Sequence, residues 1–284
     1  MTDTAFADSA TTEPRGSARP AYRVTGLRVL RSEWGKFWSL RSSWITLGVA
    51  LLLVVAIGAI ASATYSPDAV ASNGPPGPGS NSGSDAVGLA LLGSMFAQLA
   101  IGVLGVLVSA GEYSTGMIRS TLAAVPRRLP VLWSKSAVFG AISVPLATAG
   151  ALAAFLLGSL GLRGEKIALS LGDDGVLRAL VGAGLYLGLV GVAGVALGVL
   201  LRSSAGAIAV LVGVLLIVPG LTGLLPDSWS DAVSPYLPSN AGQAVMSLHQ
   251  SAHQLGPWAG LAVFAGWVAL ALAGAAYRLV RSDA

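Results

Sequence analysis

The chain has 284 residues, 54% of them hydrophobic and only 11% charged, with a mean hydropathy of +0.73. Soluble domains carry about a quarter charged residues, so this composition excludes a soluble domain built on a large core and points to an integral membrane protein. The absence of cysteine excludes disulfides, thiolate metal sites and cysteine nucleophiles, and the net charge of +4 comes from basic residues beside hydrophobic runs, the pattern of topology control at an anionic membrane face rather than of nucleic-acid binding.

Residues 1–20 are small, polar and proline-containing, which predicts a disordered cytoplasmic tail. Over residues 21–43, Leu27, Leu30, Trp34, Phe37 and Trp38 recur at helical spacing, while Arg28, Arg31, Glu33 and Lys36 fall largely on other faces. A basic, aromatic-rich amphipathic helix of this kind lies in the headgroup plane. Six apolar runs follow, at about 44–64, 86–110, 136–160, 177–201, 203–225 and 257–277, each of the roughly 20 residues that a helix needs to cross the hydrocarbon core. The first begins too late and runs too long for a cleaved signal peptide, so it reads as a retained span. Pro145 predicts a kink in span three, and Pro219 lies near the end of span five. The expected fold is an all-α integral membrane protein: one transmembrane domain over 21–284, six transmembrane helices preceded by an interfacial helix.

Of the 17 Lys and Arg residues, all but Arg163, Lys166 and Arg178 fall in segments on one side of these spans. The positive-inside rule then places both termini in the cytoplasm. The expected outer loops differ in kind. Residues 65–85 carry GPPGPGSNSGS, a flexible linker without positive charge. Residues 226–256 contain no Lys or Arg, and 240–255 are read as a helix that caps the outer face or dips into it. In span four, Gly184 and Gly188, and Gly194 and Gly198, are each four apart, which fits close packing within the chain better than a dedicated dimer seam.

No phosphate-binding loop GxxxxGK[ST] is present, and the chain is not read as an enzyme. Span interiors carry almost no ionisable residues, which argues against a proton- or sodium-coupled carrier. His249 and His253 share an i, i+4 spacing, but no third ligand or zinc-protease glutamate lies beside them. Both fall in an outer loop, away from the membrane depth that an intramembrane serine protease needs. They are read as two solvated histidines, and no metal site is expected.

The remaining polar cluster is residues 111–135, GEYSTGMIRSTLAAVPRRLPVLWSK, between spans two and three. Glu112 closes span two, Thr115 and Gly116 allow a turn, 117–125 fit a short helix with Arg119 turned to water or headgroups, Pro126 breaks it, and Pro130 sets up the return. On residue chemistry alone this is equally a positive-inside anchor loop and a docking loop. The pattern Glu112-Tyr113-x-x-Gly116-x-Ile118-Arg119, followed by Leu122, Pro126, Arg127 and Lys135, resembles the first cytoplasmic loop of type-2 ABC exporter permeases. SEWGKFWSLRSSW at 32–44 is similar to the basic amphipathic helix that precedes six spans in that family, and SPYLPSNAGQA at 234–244 to its long outer loop before the last span. The resemblance covers nearly the whole chain after residue 20, although the linker after span one is longer than many members need. It implies a permease subunit in the plasma membrane that pairs with a second permease subunit, as a homo- or heterodimer, and with two copies of a separate ATPase. ATP and Mg would be bound by the ATPase, with no cofactor in this chain. It further implies a coupling loop over Glu112, Thr115, Gly116, Ile118, Arg119, Leu122, Pro126, Arg127, Arg128 and Lys135, and a largely apolar pathway lined by spans two and five that exports a hydrophobic, lipid-like or drug-like compound. A non-transporting structural or assembly membrane protein has the same spans and charges and is the alternative.

Overall fold

The computed structural model describes residues 25–65, 85–125, 127–224, 226–250 and 254–281. The tail expected over 1–20 and most of the linker expected over 65–85 lie outside them. Helix α1 is Gly26–Ser39. Leu40, with extended backbone (φ −87°, ψ 102°), breaks the axis before α2, Arg41–Ala63, so residues 41–43 begin span one instead of ending the preceding helix. Span two is α3, Ala86–Leu91, and α4, Ser94–Ser114, joined by a turn at Leu92 and Gly93. Asp85 caps α3, its carboxylate accepting from the Gly88 N–H at 2.7 Å. The short α5, Met117–Ala124, follows, and then α6, Leu129–Gly161.

Span four is α7, Val176–Leu201. Span five starts as α8, Ser204–Val212, passes through a π-helical stretch, Gly213–Ile217, and ends in α9, Val218–Leu221. The wide turn has a local cause. Pro219 has no N–H to give the Leu215 carbonyl, and a π register relieves the clash of its ring with that turn. By contrast α6 runs unbroken through Pro145. On the far side, α10 (Asp227–Val233) and α11 (Pro238–Gln243) precede span six, α12, Pro257–Arg281. The expected helix at 240–255 is displaced. The helical residues there are α11 and the tight turn Ala244–Met246, and Ser239, Ala241, Ala244 and Val245 are buried against spans four and six. The Arg178 guanidinium fastens this segment by donating to the carbonyls of Val245 at 3.2 Å and Ser247 at 3.1 Å.

Among the described residues, six helices are therefore long and apolar enough to cross a membrane. Spans two and four form the centre: 56% and 61% of their apolar windows are buried, against 17% for span five and 22% for span six. Glycine makes this centre possible. A Cβ on Gly105 would stand 2.1 Å from the Gly191 carbonyl oxygen, and one on Gly194 2.2 Å from that of Gly102. Gly184, Gly188 and Gly198 are similarly closed by Thr148, Val144 and Ser109, so the glycine pairs of span four pack within the chain. Around them Ile101, Leu104, Phe139, Leu187 and Val190 form the core. Tyr186 donates a 2.5 Å hydrogen bond to the Gln98 side-chain oxygen, satisfying both polar groups at membrane depth.

Backbone atoms cannot yield as side chains do, so Gly105→Ala should cost about 3 kcal/mol or more, the upper range for overpacking. Gly213 meets nothing within 4 Å, so Gly213→Ala should leave stability unchanged or raise it by about 1 kcal/mol through helix propensity. Thermal unfolding of the two variants in detergent checks both.

Candidate functional site

The site lies where α1, the end of α4 and the start of α6 meet. Val29, Glu33 and Phe37 are spaced i, i+4, i+8 along α1, and all three are buried. Phe37 packs edge-on to Phe139 of α6 and to Trp44 of α2, with ring centroids 6.0 and 5.7 Å apart. This line of contacts carries Glu33 inward, where its side chain is 4% exposed. Across from it are Glu112, the third residue from the end of α4, and Lys135, seven residues into α6, each 5% exposed.

The four charged groups close a ring. Lys135 Nζ donates to Glu33 Oε2 at 2.8 Å and to Glu112 Oε1 at 2.9 Å. Lys36 Nζ donates to Glu33 Oε1 at 2.7 Å and to Glu112 Oε1 at 3.1 Å. Each ammonium touches both carboxylates, so the buried charges balance. Glu112 Oε2 has no hydrogen-bond partner among the described residues. Burial alone pushes the Glu33 carboxyl up. The charge and hydrogen bond of Lys135, then those of Lys36, override it and hold Glu33 below its ordinary value. Burial likewise pushes Lys36 down, and Glu33 and then Glu112 reverse this and hold its ammonium above the ordinary lysine value.

Two expectations from the sequence change here. Glu33 and Lys36, grouped by spacing with Arg28 and Arg31 on faces other than the aromatic one, part from those arginines and turn toward the protein. α6 begins at Leu129, seven residues before the expected start of span three, so Lys135 lies inside that helix instead of before it, while Glu112 stands near the end of span two as expected. The ring makes this tolerable, because a buried charge is costly unless paired. Glu33 and Lys36 were missed as site residues. The available signal was the single acid of a basic helix, aligned with apolar residues four positions before and after it.

The loop beyond the ring stands outward. Gly116 has φ 73°, the left-handed region that favours glycine, and starts α5 from the end of span two. Ile118 is 6% exposed and anchors α5, with Leu122 half-buried beside it. Thr115, Gly116, Met117, Arg119, Ser120, Ala123 and Ala124 are exposed, as is Arg127. Pro126 lies outside the described residues. Arg128 donates to the Leu279 carbonyl at the end of α12 at 3.1 Å, and Arg278 donates to the Leu200 carbonyl at the end of α7. The Arg202 guanidinium sits 5.3 Å from the centre of the Tyr113 ring. These contacts gather α1, the 111–135 segment, the turn after span four and the end of α12 at one end of the bundle. A narrow cleft lies under α5, lined by Ile118, Leu122, Glu112, Lys135 and neighbours from α7 and α12. A second narrow cleft lies among spans one to four. Span five lines neither, so the pathway expected along spans two and five is not one of these clefts.

At the opposite end His249 Nδ1 lies 3.5 Å from Asp85 Oδ2, with its side chain 82% exposed. His253 lies outside the described residues, among which no group of three metal-ligating side chains occurs. No protein-family model matches the chain, and no curated protein matches it.

Lys135→Met leaves two buried carboxylates with Lys36 as their single cation. It should destabilise the fold by about 3–5 kcal/mol, read as a fall in the thermal unfolding midpoint, with Lys135→Arg falling less. The stabilisation from Glu33 is present above the unfolded carboxyl value and is lost as pH falls through the lowered folded one. That from Lys36 is present below the ordinary lysine value and is lost as pH rises through the raised folded one. Hydrogen-exchange protection of α1 should therefore stay flat across mildly acidic to mildly alkaline pH and fall only beyond those limits.

Proposed function

We propose that this chain is the membrane-spanning subunit of an ATP-binding cassette exporter, moved by a separate ATPase that docks on the loop of α5. The observation that carries the reading is the pairing of an exposed short helix with a buried charged base. α5 and the turn before it offer Thr115, Met117, Arg119 and Ser120 to a partner, while Glu112 and Lys135, on either side of the loop, are bonded to each other at 2.9 Å. A loop that served only as an anchor has no need of a rigid base. A push on α5 would reach spans two and three and α1 as one body, the arrangement that rigid-body alternation requires. The resemblance of residues 111–135 to the first cytoplasmic loop of type-2 ABC exporter permeases supports the same reading.

In this proposal the loop end faces the cytoplasm of the plasma membrane, by the excess of Lys and Arg there, and α1 lies at the interface. A second permease subunit completes the pathway. Its natural seat is span five: Gly213 and Gly220 are seven apart, each meets nothing within 4 Å, and the span is 17% buried. Met95 and Phe96 of span two are also exposed. A pathway between two such surfaces is apolar and suits a hydrophobic or lipid-like cargo.

Purification of the protein from its native membrane in mild detergent should bring down a stoichiometric ATPase. Arg119→Ala, at an exposed position, should weaken that capture about tenfold, the scale of one charged contact at an interface, while membrane insertion is unchanged. No ATPase under conditions that preserve other membrane complexes would favour the structural or assembly role. The orientation has its own test: the chain lacks cysteine, so a single cysteine at Ser120 should react with an impermeant thiol reagent only when the cytoplasmic face is opened.

A further inference from the structure

α1 has three sectors, and two of them face away from the protein. At about 100° per residue, Val29, Glu33, Lys36 and Phe37 fall together toward the bundle. Leu27, Leu30, Trp34 and Trp38 form the next sector, exposed at 78%, 37%, 43% and 53%. Arg28 and Arg31, with Ser32, Gly35 and Ser39, form the third and are also exposed. The order around the helix is protein, apolar, basic. An apolar sector beside a basic one is the division between acyl chains and headgroups at a bilayer surface, and six helices among the described residues are long and apolar enough to cross such a bilayer. The Trp34 and Trp38 ring centroids lie 6.1 Å apart, and those of Trp38 and Trp44, near the start of span one, 4.3 Å apart, a tryptophan row of the kind enriched at membrane interfaces. Arg28 and Arg31 are one turn apart beside this row, and Arg41 follows at the first residue of α2, also exposed.

We infer that Arg28 and Arg31, flanked by Trp34 and Trp38, form a binding site for the phosphate headgroups of anionic phospholipids, and that the Glu33–Lys36–Glu112–Lys135 ring transmits its occupancy to the α5 loop. The occupant follows from charge complementarity: two guanidiniums against phosphodiester anions, with an apolar sector that a soluble phosphate cannot use. The transmission follows from the ring. The residues that face lipid and the residues bonded to the loop base share one helix of 14 residues, and Glu33 lies two positions from Arg31 and one from Trp34. Lipid that draws α1 deeper therefore pulls on Lys135 and, through it, on Glu112. The consequence for transport rests on the permease reading; the lipid site and its link to α5 do not.

The test uses the full-length protein in nanodiscs of phosphatidylcholine, with and without phosphatidylglycerol. The chain has no native cysteine, so one spin label reports alone. It is placed either at Gly35, where an added Cβ meets nothing within 4 Å, or at the exposed Ser120 of α5. Phosphatidylglycerol should increase the immersion of the Gly35 label and slow the Ser120 label. In the variant Arg28→Gln/Arg31→Gln the preference for phosphatidylglycerol should fall about fivefold per arginine. In Glu33→Gln the Gly35 response should persist and the Ser120 response disappear. A Gly35 label indifferent to phosphatidylglycerol, or an unchanged response in the arginine variant, overturns the site. So does the same response to soluble glycerol phosphate in phosphatidylcholine discs, which would mark a free-phosphate site. An undiminished Ser120 response in Glu33→Gln overturns the transmission. Should Glu33→Gln fail to fold, the arginine variant, altered only at exposed positions, still decides the site, and Lys36→Gln, at the most exposed ring member, decides the transmission by the same Ser120 readout. No readout involves the ATPase, so a missing lipid response leaves the permease proposal standing, and a missing ATPase leaves the lipid site standing.

Discussion

The closed ring of Glu33, Lys36, Glu112 and Lys135 is the constraint on which the loop end of the molecule depends. A lone carboxylate or ammonium at these depths would be driven to its neutral form or out to water. Here each carboxylate meets two ammoniums and each ammonium two carboxylates. Three consequences follow from closing it. α1 must lie against α6, because Glu33 finds a second cation there. α6 must begin early enough to bring Lys135 inward. And span two must end with Glu112 beside both. The segment between Glu112 and Lys135 is then a loop with a fixed base, free to vary at its tip and unable to drift at its root.

Buried ion pairs are weak contributors to stability when compared with apolar residues of the same shape, so the ring is not explained by stability alone. Apolar residues at the four positions would also join α1, α4 and α6. What they would lack is direction. Hydrogen bonds of 2.7–3.1 Å fix the mutual rotation of three helices, whereas apolar contacts permit sliding. The proposed transmission of displacement between helices needs the first property. Glu112 Oε2, without a partner among the described residues, fits the same view, since it leaves one acceptor for a rearranged form of the ring.

The sequence shows the fold well and the site in outline. Six spans were legible because length and apolarity are local properties: the observed helices contain the expected runs to within a few residues, except where a charge intervened. The tip of the loop was legible too, since Gly116 and the short 117–125 pattern signal a turn and a helix without outside help. The inward side of α1 was not. A helical wheel separates apolar from polar, yet it does not distinguish a polar side facing water from one facing compensating charges on other helices. Glu33 and Lys36 became partners of Glu112 and Lys135 across 76 and more positions of sequence, information that no local window contains. The early start of α6 is hidden for the same reason, because a charge at Lys135 reads as lying outside an apolar span while its partners on other helices make it an interior residue.

The two kinds of glycine draw the remaining distinction. Those of span four and Gly105 are closed by atoms of this chain, and they weld spans two and four into a centre that cannot be deformed by small degrees. Gly213 and Gly220 of span five are open, on a helix that touches little of its own chain and carries a π turn. In the permease proposal, a body with a welded centre, one rigid loop base and one loosely held, small-residue edge would divide into a part that receives a push and a part along which a neighbour can shift. Had the glycines been distributed the other way, with span four open and span five closed, the loop would rest on a deformable centre and its motion would be lost in side-chain rearrangement before reaching the edge.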